Sequence, residues 1–292
     1  MKKEKLSARG LEIEFEDGLG EEVTAHAGVA LLVEVGRRSG VIATADRVHP
    51  AKKNPKGLTQ GQLVESLVLL SALGGECPDD LQQLRQDQGL EAMVGYQLPA
   101  PSTTRGWLEL YHDDEALAER PLQGSFIPRE SARLAGLGEV VRQSVRAYVS
   151  AIATPRQVTL DVDAHLVESS KKEALATYEG FRGYQPMVVT WAQTGLVLAD
   201  EFRDGNVPAA KDIAKVVDEA YEALPSRPDG WEVRIRSDSA AYEERVLDHW
   251  AGRGWKFAVS ANMSPRLRQE SARVKPDEWQ LWEVEPGGYV RE

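Results

Sequence analysis

From residue 157 onward the chain follows a rhythm that few folds satisfy. Over 157–167, Leu160, Val162, Ala164 and Leu166 alternate with Asp161, Asp163 and His165. A period of two marks a half-buried strand. Two more strands follow over 187–191 and 196–202, joined at the turn pair Thr194-Gly195. Next comes a helix carrying Ile213, Val216, Val217, Ala220 and Leu224, then a strand over 231–237, a helix over 241–251 and a strand over 255–261. Strands joined by hairpins pair antiparallel, whereas strands separated by a helix pair parallel. The expected fold is α/β, a mixed sheet with a parallel part.

Asp161 and Asp163 stand two residues apart on the first strand and so project from one face. Like charges that close repel, so the face must be solvated, paired with cations or holding a metal. Asp238 lies just past the fourth strand, at the carboxyl end where functional groups gather in open α/β sheets. It follows Asp163 by 238 − 163 = 75 residues. If those strands are neighbours, the two carboxylates can meet. Carboxylates around a pair of Mg2+ ions, ~3.5–4 Å apart, suit phosphodiester cleavage and transfer, and hard oxygen ligands are what Mg2+ prefers. Each acid taken singly has a plainer reading: Asp161 and Asp163 as solvated strand charges, Asp238 as the N-cap of the helix that follows.

Upstream the pattern is mainly helical. Leu11, Ile13 and Phe15 mark a short amphipathic strand over 9–17, and residues 21–37 read as a helix. Thr59 caps a helix with Leu63, Leu67, Leu70 and Leu73 on one face, stopped by Gly74-Gly75. A short helix opens at Asp79, another covers 103–112, residues 115–129 read as a connection, and a long helix over roughly 130–152 ends before Pro155. Short helices with tight turns fit a helix-turn-helix whose last helix turns Ser102, Thr103, Thr104 and Arg105 toward DNA. A plain bundle with Trp107, Leu108 and Tyr111 as core fits the same pattern.

The 292 residues leave room for about two domains. With 46 acids against 35 bases the net charge is −11, which argues against a chain-wide pull toward nucleic acid and leaves room for a local basic patch. Lys171, Lys172 and Arg182 are candidates, with a solvated loop and a hairpin anchor as their plainer readings. The single Cys77 forms no internal disulfide, and with five His a structural zinc site is not expected. No apolar run reaches the ~18 residues of a membrane span, and the basic start has no apolar stretch behind it, so no signal peptide is expected.

The words within this frame are Thr159-Leu-Asp-Val-Asp-Ala164, Tyr178-Glu-Gly-Phe-Arg-Gly-Tyr-Gln-Pro186, Gly195-Leu-Val-Leu-Ala-Asp-Glu-Phe-Arg-Asp-Gly-Asn206, Arg236-Ser-Asp-Ser-Ala240 and Phe257-Ala-Val-Ser-Ala261. Together they resemble the DDE transposases of bacterial insertion sequences, and the strand order resembles the ribonuclease-H-like fold. Thr24-Ala-His-Ala-Gly28 and residues 74–84 extend the resemblance over nearly the whole chain.

That resemblance implies a helical DNA-binding domain over 1–152, a ribonuclease-H-like catalytic domain over 153–263 and the start of a β-rich insertion over 264–292. It implies Asp163 as the first catalytic acid, with Asp161 as the alternative and a further metal ligand, and Asp238 as the second. It also implies Mg2+ or Mn2+, double-stranded DNA at the element's terminal repeats, a homodimer and a cytoplasmic, nucleoid-associated bacterial setting. Departures accompany it. His165 stands where the family often has a hydroxyl residue. The family's third acid, a Glu on a later helix, has no counterpart, and residues 276–291 read as the first strands of an insertion. The chain is therefore expected to be truncated and inactive or severely impaired alone. A non-catalytic DNA-binding or regulatory remnant, and an unrelated acidic α/β protein, stay open beside it.

Overall fold

The N-terminal helices form where local signals are strong, and each buries one stripe of its surface. A computed structural model describes residues 24–49, 57–152, 157–224, 231–261, 263–278, 280–281 and 289–290; the strand expected over 9–17 lies outside them. The helices are α1 (Val29–Arg38), α2 (Val41–Val48), α3 (Gln60–Ala72), α4 (Leu81–Leu84), α5 (Gln88–Val94), α6 (Pro101–Leu108), α7 (Asp114–Ala118) and α8 (Ala132–Ala151). A capping box closes α3: the Gln62 amide donates to the Thr59 hydroxyl at 3.1 Å, and the Thr59 amide to Gln62 Oε1 at 2.8 Å. The helix expected from residue 21 begins at Val29. The expected connection over 115–129 begins inside a helix instead, because Asp113 caps α7 by accepting from the Ala116 amide.

Two apolar clusters hold this region. One contains Val29, Val33, Leu69, Leu90, Val94 and Leu98, and the other Ala45, Leu63, Val64, Trp107 and Val140. The bundle reading of 103–112 is right for Trp107, while Tyr111 is half-buried and Leu108 is exposed. The long helix α8 serves two cores. Val140 packs with the N-terminal cluster, and Val145, one turn on, belongs to the core beneath the sheet.

The remaining chain adds β1 (Gln157–Ala164), β2 (Val167–Glu168), β3 (Leu175–Ala176), β4 (Arg182–Tyr184), β5 (Met187–Trp191), β6 (Leu196–Glu201), α9 (Ile213–Ala223), β7 (Glu232–Ser237), α10 (Glu244–Gly252) and β8 (Lys256–Val259). Five strands form one sheet in the order β6-β5-β1-β7-β8. Strands β5 and β6 pair antiparallel, while β7 pairs parallel with both β1 and β8. This is the ribonuclease-H-like order.

Alternation sorts the two faces. Val158, Leu160 and Val162 of β1, Met187, Val189 and Trp191 of β5, and Val233 and Ile235 of β7 turn to one side. There they meet Val145 of α8, Ile213, Val216, Val217 and Ala220 of α9, and Val246 and Trp250 of α10. The opposite face carries Asp161, Asp163, Arg234 and Arg236, none of them buried.

A second sheet, in the order β2-β4-β3, fills the segment between β1 and β5. Two glycines allow its close packing: a Cβ on Gly183 would lie 2.3 Å from the Val167 carbonyl oxygen, and one on Gly205 2.5 Å from that of Gly183. Beyond β8 come α11 (Pro265–Arg273), capped by Ser264, and a short antiparallel pair, β9 (Gln280–Leu281) with β10 (Tyr289–Val290).

Candidate active site

The register of β1 against β7 builds the site. Asp161 lies opposite Arg236, and Val162 opposite Ser237. Val162 and Ser237 are the last paired residues, so Asp163 and Asp238 each follow directly at the carboxyl ends of two adjacent parallel strands; the same register continued one step would bring them level at the ordinary strand spacing of roughly 4.8 Å. Both residues are exposed on the face away from α9 and α10. Asp238 is held by its turn: its backbone is extended, and its Oδ1 accepts from the Ala240 amide at 2.9 Å, capping a short 3-10 turn over Ser239–Ala241. The other oxygen stays available. Asp163 has no hydrogen-bond or ion-pair partner among the described residues, so both of its oxygens face solvent.

The acids of this face differ in what they already hold. Asp161 is taken by Arg236 in a two-pronged pair, Nε donating to Oδ1 at 2.6 Å and Nη2 to Oδ2. The same bond raises the Arg236 guanidinium still further above its ordinary pKa. Glu232 is matched likewise, by Arg234 and, at 3.2 Å, by Lys256. The row of Asp163 continues the other way, where Val188 of β5 lies opposite both Asp163 and Asp200 of β6. That puts Asp200 on the same face two strands away, an acid that the sequence pattern did not single out.

The donor set fits a hard divalent cation. Asp163 offers two free carboxylate oxygens and Asp238 one, at adjacent register positions and open to water, which completes the shell of Mg2+ or Mn2+ in such sites. Among the described residues no group of three or more His, Cys, Asp or Glu side chains gathers into a metal site.

The residues expected to meet DNA are scattered and unequally free. Lys171 and Lys172 are exposed on the loop between β2 and β3. Arg182 fastens that loop, with Nε donating to the Ala174 carbonyl at 3.0 Å and Nη2 to that of Lys172. Its guanidinium is thus spent on backbone, and the anchoring reading describes it better than a phosphate contact. Arg105 on α6 is exposed and pairs with Asp79; Thr103 is exposed. Thr104 needs correction: it is 1% exposed, and its hydroxyl donates to the Ala100 carbonyl, so it belongs to the bundle interior. His165 is exposed just beyond β1, and its backbone amide donates to the Pro186 carbonyl.

Sequence reasoning gave Arg236 no role. The signal was there: 236 − 161 = 75, the same separation as Asp163 to Asp238, so any register that joins the second pair joins the first. A second missed pair ties the two halves of the chain together. Arg120, just after α7, donates to Asp204 Oδ1 at 2.7 Å and to the Glu173 carbonyl at 2.8 Å, and Asp204 is fully buried.

With this geometry in place, comparison with known proteins identifies the chain. The family model described as the transposase DDE domain, group 1, matches residues 3–285, and the chain belongs to that family. Among solved structures it is similar to the piggyBac transposase synaptic complex with hairpin DNA, at 9% identity and a TM-score of 0.35 over 81% of this chain and 51% of that one. The Mos1 mariner paired-end complex with Mn matches at 13% identity and a TM-score of 0.28, over 77% of this chain and 68% of that one. The Drosophila P element transposase strand transfer complex matches at 13% identity and a TM-score of 0.29, over 85% and 50%. The chain thus spans about half the length of the piggyBac and P element proteins. No curated protein matches it. Among the described residues no helix is long and apolar enough to cross a membrane.

Proposed function

We propose that this chain carries a two-aspartate centre for metal-dependent DNA strand cleavage and strand transfer, and that its substrate is the terminal repeats of an insertion sequence. What supports this reading is the β1–β7 register, whose last pair, Val162 and Ser237, directly precedes Asp163 and Asp238 on the open face of a ribonuclease-H-like sheet in a DDE transposase family member. Asp163 and Asp238 would hold the cation, Mg2+ or Mn2+. Such an ion, when bound, lowers the pKa of water and offsets charge at the reacting phosphate. The Ala240 amide fixes the Asp238 carboxylate, so that group meets its ligand preorganised. In cleavage, water attacks phosphorus and the 3′ oxygen leaves; in transfer, the freed 3′-hydroxyl attacks a target-strand phosphorus and displaces that strand's own 3′ oxygen, so one phosphodiester replaces another.

The duplex is carried by exposed cationic and polar side chains outside the acid row. Lys171 and Lys172 on the β2–β3 loop, and Thr103 and Arg105 on α6, take phosphate contacts, while Arg182 shapes the loop that presents the lysines. The protein works on DNA at the bacterial nucleoid as a homodimer that holds two element ends. Asp161 is already occupied by Arg236, which would leave the cation to Asp163 and Asp238. Among the described residues, this reading assigns two carboxylates to the cation, where the family resemblance implies three. The same observation favours the second reading, a DNA-binding or regulatory remnant without chemistry.

Nicking of a supercoiled plasmid bearing the element's ends, with Mn2+ present, tests the proposal. The expected result is slow, end-specific nicking that Asp163→Ala and Asp238→Ala each abolish. Nicking unchanged in both variants would overturn it. Salt-dependent binding to the ends with no nicking at all favours the remnant.

A further inference from the structure

The pairing of Asp161 with Arg236 decides which acid of β1 is free to work. Asp161 and Asp163 are the two acids of that strand, they share a face, and their Cα atoms are roughly 7 Å apart, two strand rises. Chemically they are interchangeable as ligands. The difference lies across the ladder: Asp161 lies opposite Arg236, whereas the last paired residues of β1 and β7, Val162 and Ser237, come just before Asp163 and Asp238, and Asp163 meets no cation. A planar guanidinium in fork geometry consumes both oxygens of its carboxylate at once, which a lysine ammonium cannot do in the same way. Asp161 is therefore neutralised and occupied, and Asp163 is not.

We propose that Arg236 is a register lock. It holds Asp161 out of the cation site and so makes Asp163 the ligand that β1 presents beside Asp238. The idea rests on the reading of Asp163 and Asp238 as cation ligands. Arg236 is a positioning residue here; it acts through Asp161 and touches no reacting atom. Without the lock, Asp161 is a free carboxylate one strand repeat below Asp163, able to swing toward the same ion. A cation drawn down to Asp161 moves away from the end of β1 that Asp163 and Asp238 share, so the lock protects placement rather than raw affinity.

The test is a rescue measured by Mn2+ binding, with electron paramagnetic resonance counting free Mn2+ over purified full-length chain and no DNA present. Asp163→Ala weakens binding on the order of a hundredfold, because half the protein donor set is lost. Adding Arg236→Gln to Asp163→Ala releases Asp161 and restores binding to within about tenfold of wild type, the scale on which one unit charge near a dication matters in water. Adding Asp161→Asn to that pair abolishes binding again. Arg236→Ala serves as the parallel variant, and a thermal melt confirms that each protein is folded. A double variant that binds no better than Asp163→Ala overturns the lock, and so does a triple variant that binds as well as the double. If Asp163→Ala alone binds like wild type, the cation site itself was misplaced, a different failure from that of the lock.

Discussion

The two faces of the five-strand sheet are made by the same strands and obey opposite rules. On the helix-covered side, Leu160, Val189, Trp191 and Ile235 are almost completely buried and set the register by fitting α8, α9 and α10. On the open side, Asp161, Asp163, Arg236 and Asp238 contribute little to packing, and each owes its neighbour to the register that the other side imposes. A slip of one residue would turn every side chain to the wrong face. The chemistry is thus placed by residues that never touch it. Substitutions on the covered face should damage folding first, and substitutions on the open face should damage the site while sparing the fold.

Trp191→Ala is the harshest way to break that contrast. The ring is fully buried between the sheet and its helices, and its loss should cost about 3–5 kcal/mol in a urea titration. A loss under about 1 kcal/mol would mean the covered face does not carry the register.

Arg120→Ala removes a cation from a buried pair. It should cost roughly 3 kcal/mol, because it strands the Asp204 carboxylate without its charged partner. Burial already pushes Asp204 above its ordinary value of 3.8, and Arg120 opposes that rise. Without Arg120 the folded pKa climbs further. The deficit is then present in full above that folded pKa and shrinks as pH falls through it, since the folded state binds the proton more tightly than the unfolded one. Stability of variant and wild type should converge on acidification; a gap that widens would contradict the assignment.

Arg236→Ala breaks the pair on the open face, where the arginine side chain is 66% exposed. Its cost in the same urea titration should stay below about 1 kcal/mol and fade with salt. A cost near that of Arg120→Ala would show that the open face helps hold the sheet together.

The sequence made the large sheet legible because each strand carries a full alternating row and each helix a repeating apolar stripe. The turn pair Thr194-Gly195 lies where expected, and so does the N-cap at Thr59. The small sheet escaped notice because strands of two or three residues have no period to read. The helix α7 escaped because its five residues begin at the edge of a Pro- and Gly-bearing stretch. At the site, the acids Asp161, Asp163 and Asp238 were visible as residue types at telling positions. Which of the first two is free was not, since that depends on what stands opposite. Burial was hidden for the same reason at Thr104, one position from the exposed Thr103 on the same helix.

The most direct test is a crystal soaked in Mn2+ and measured for anomalous scattering. A peak within coordinating distance of both Asp163 and Asp238, with Asp161 still on Arg236, is the predicted result. A peak on Asp161, or none between the two aspartates at saturating Mn2+, would contradict the account.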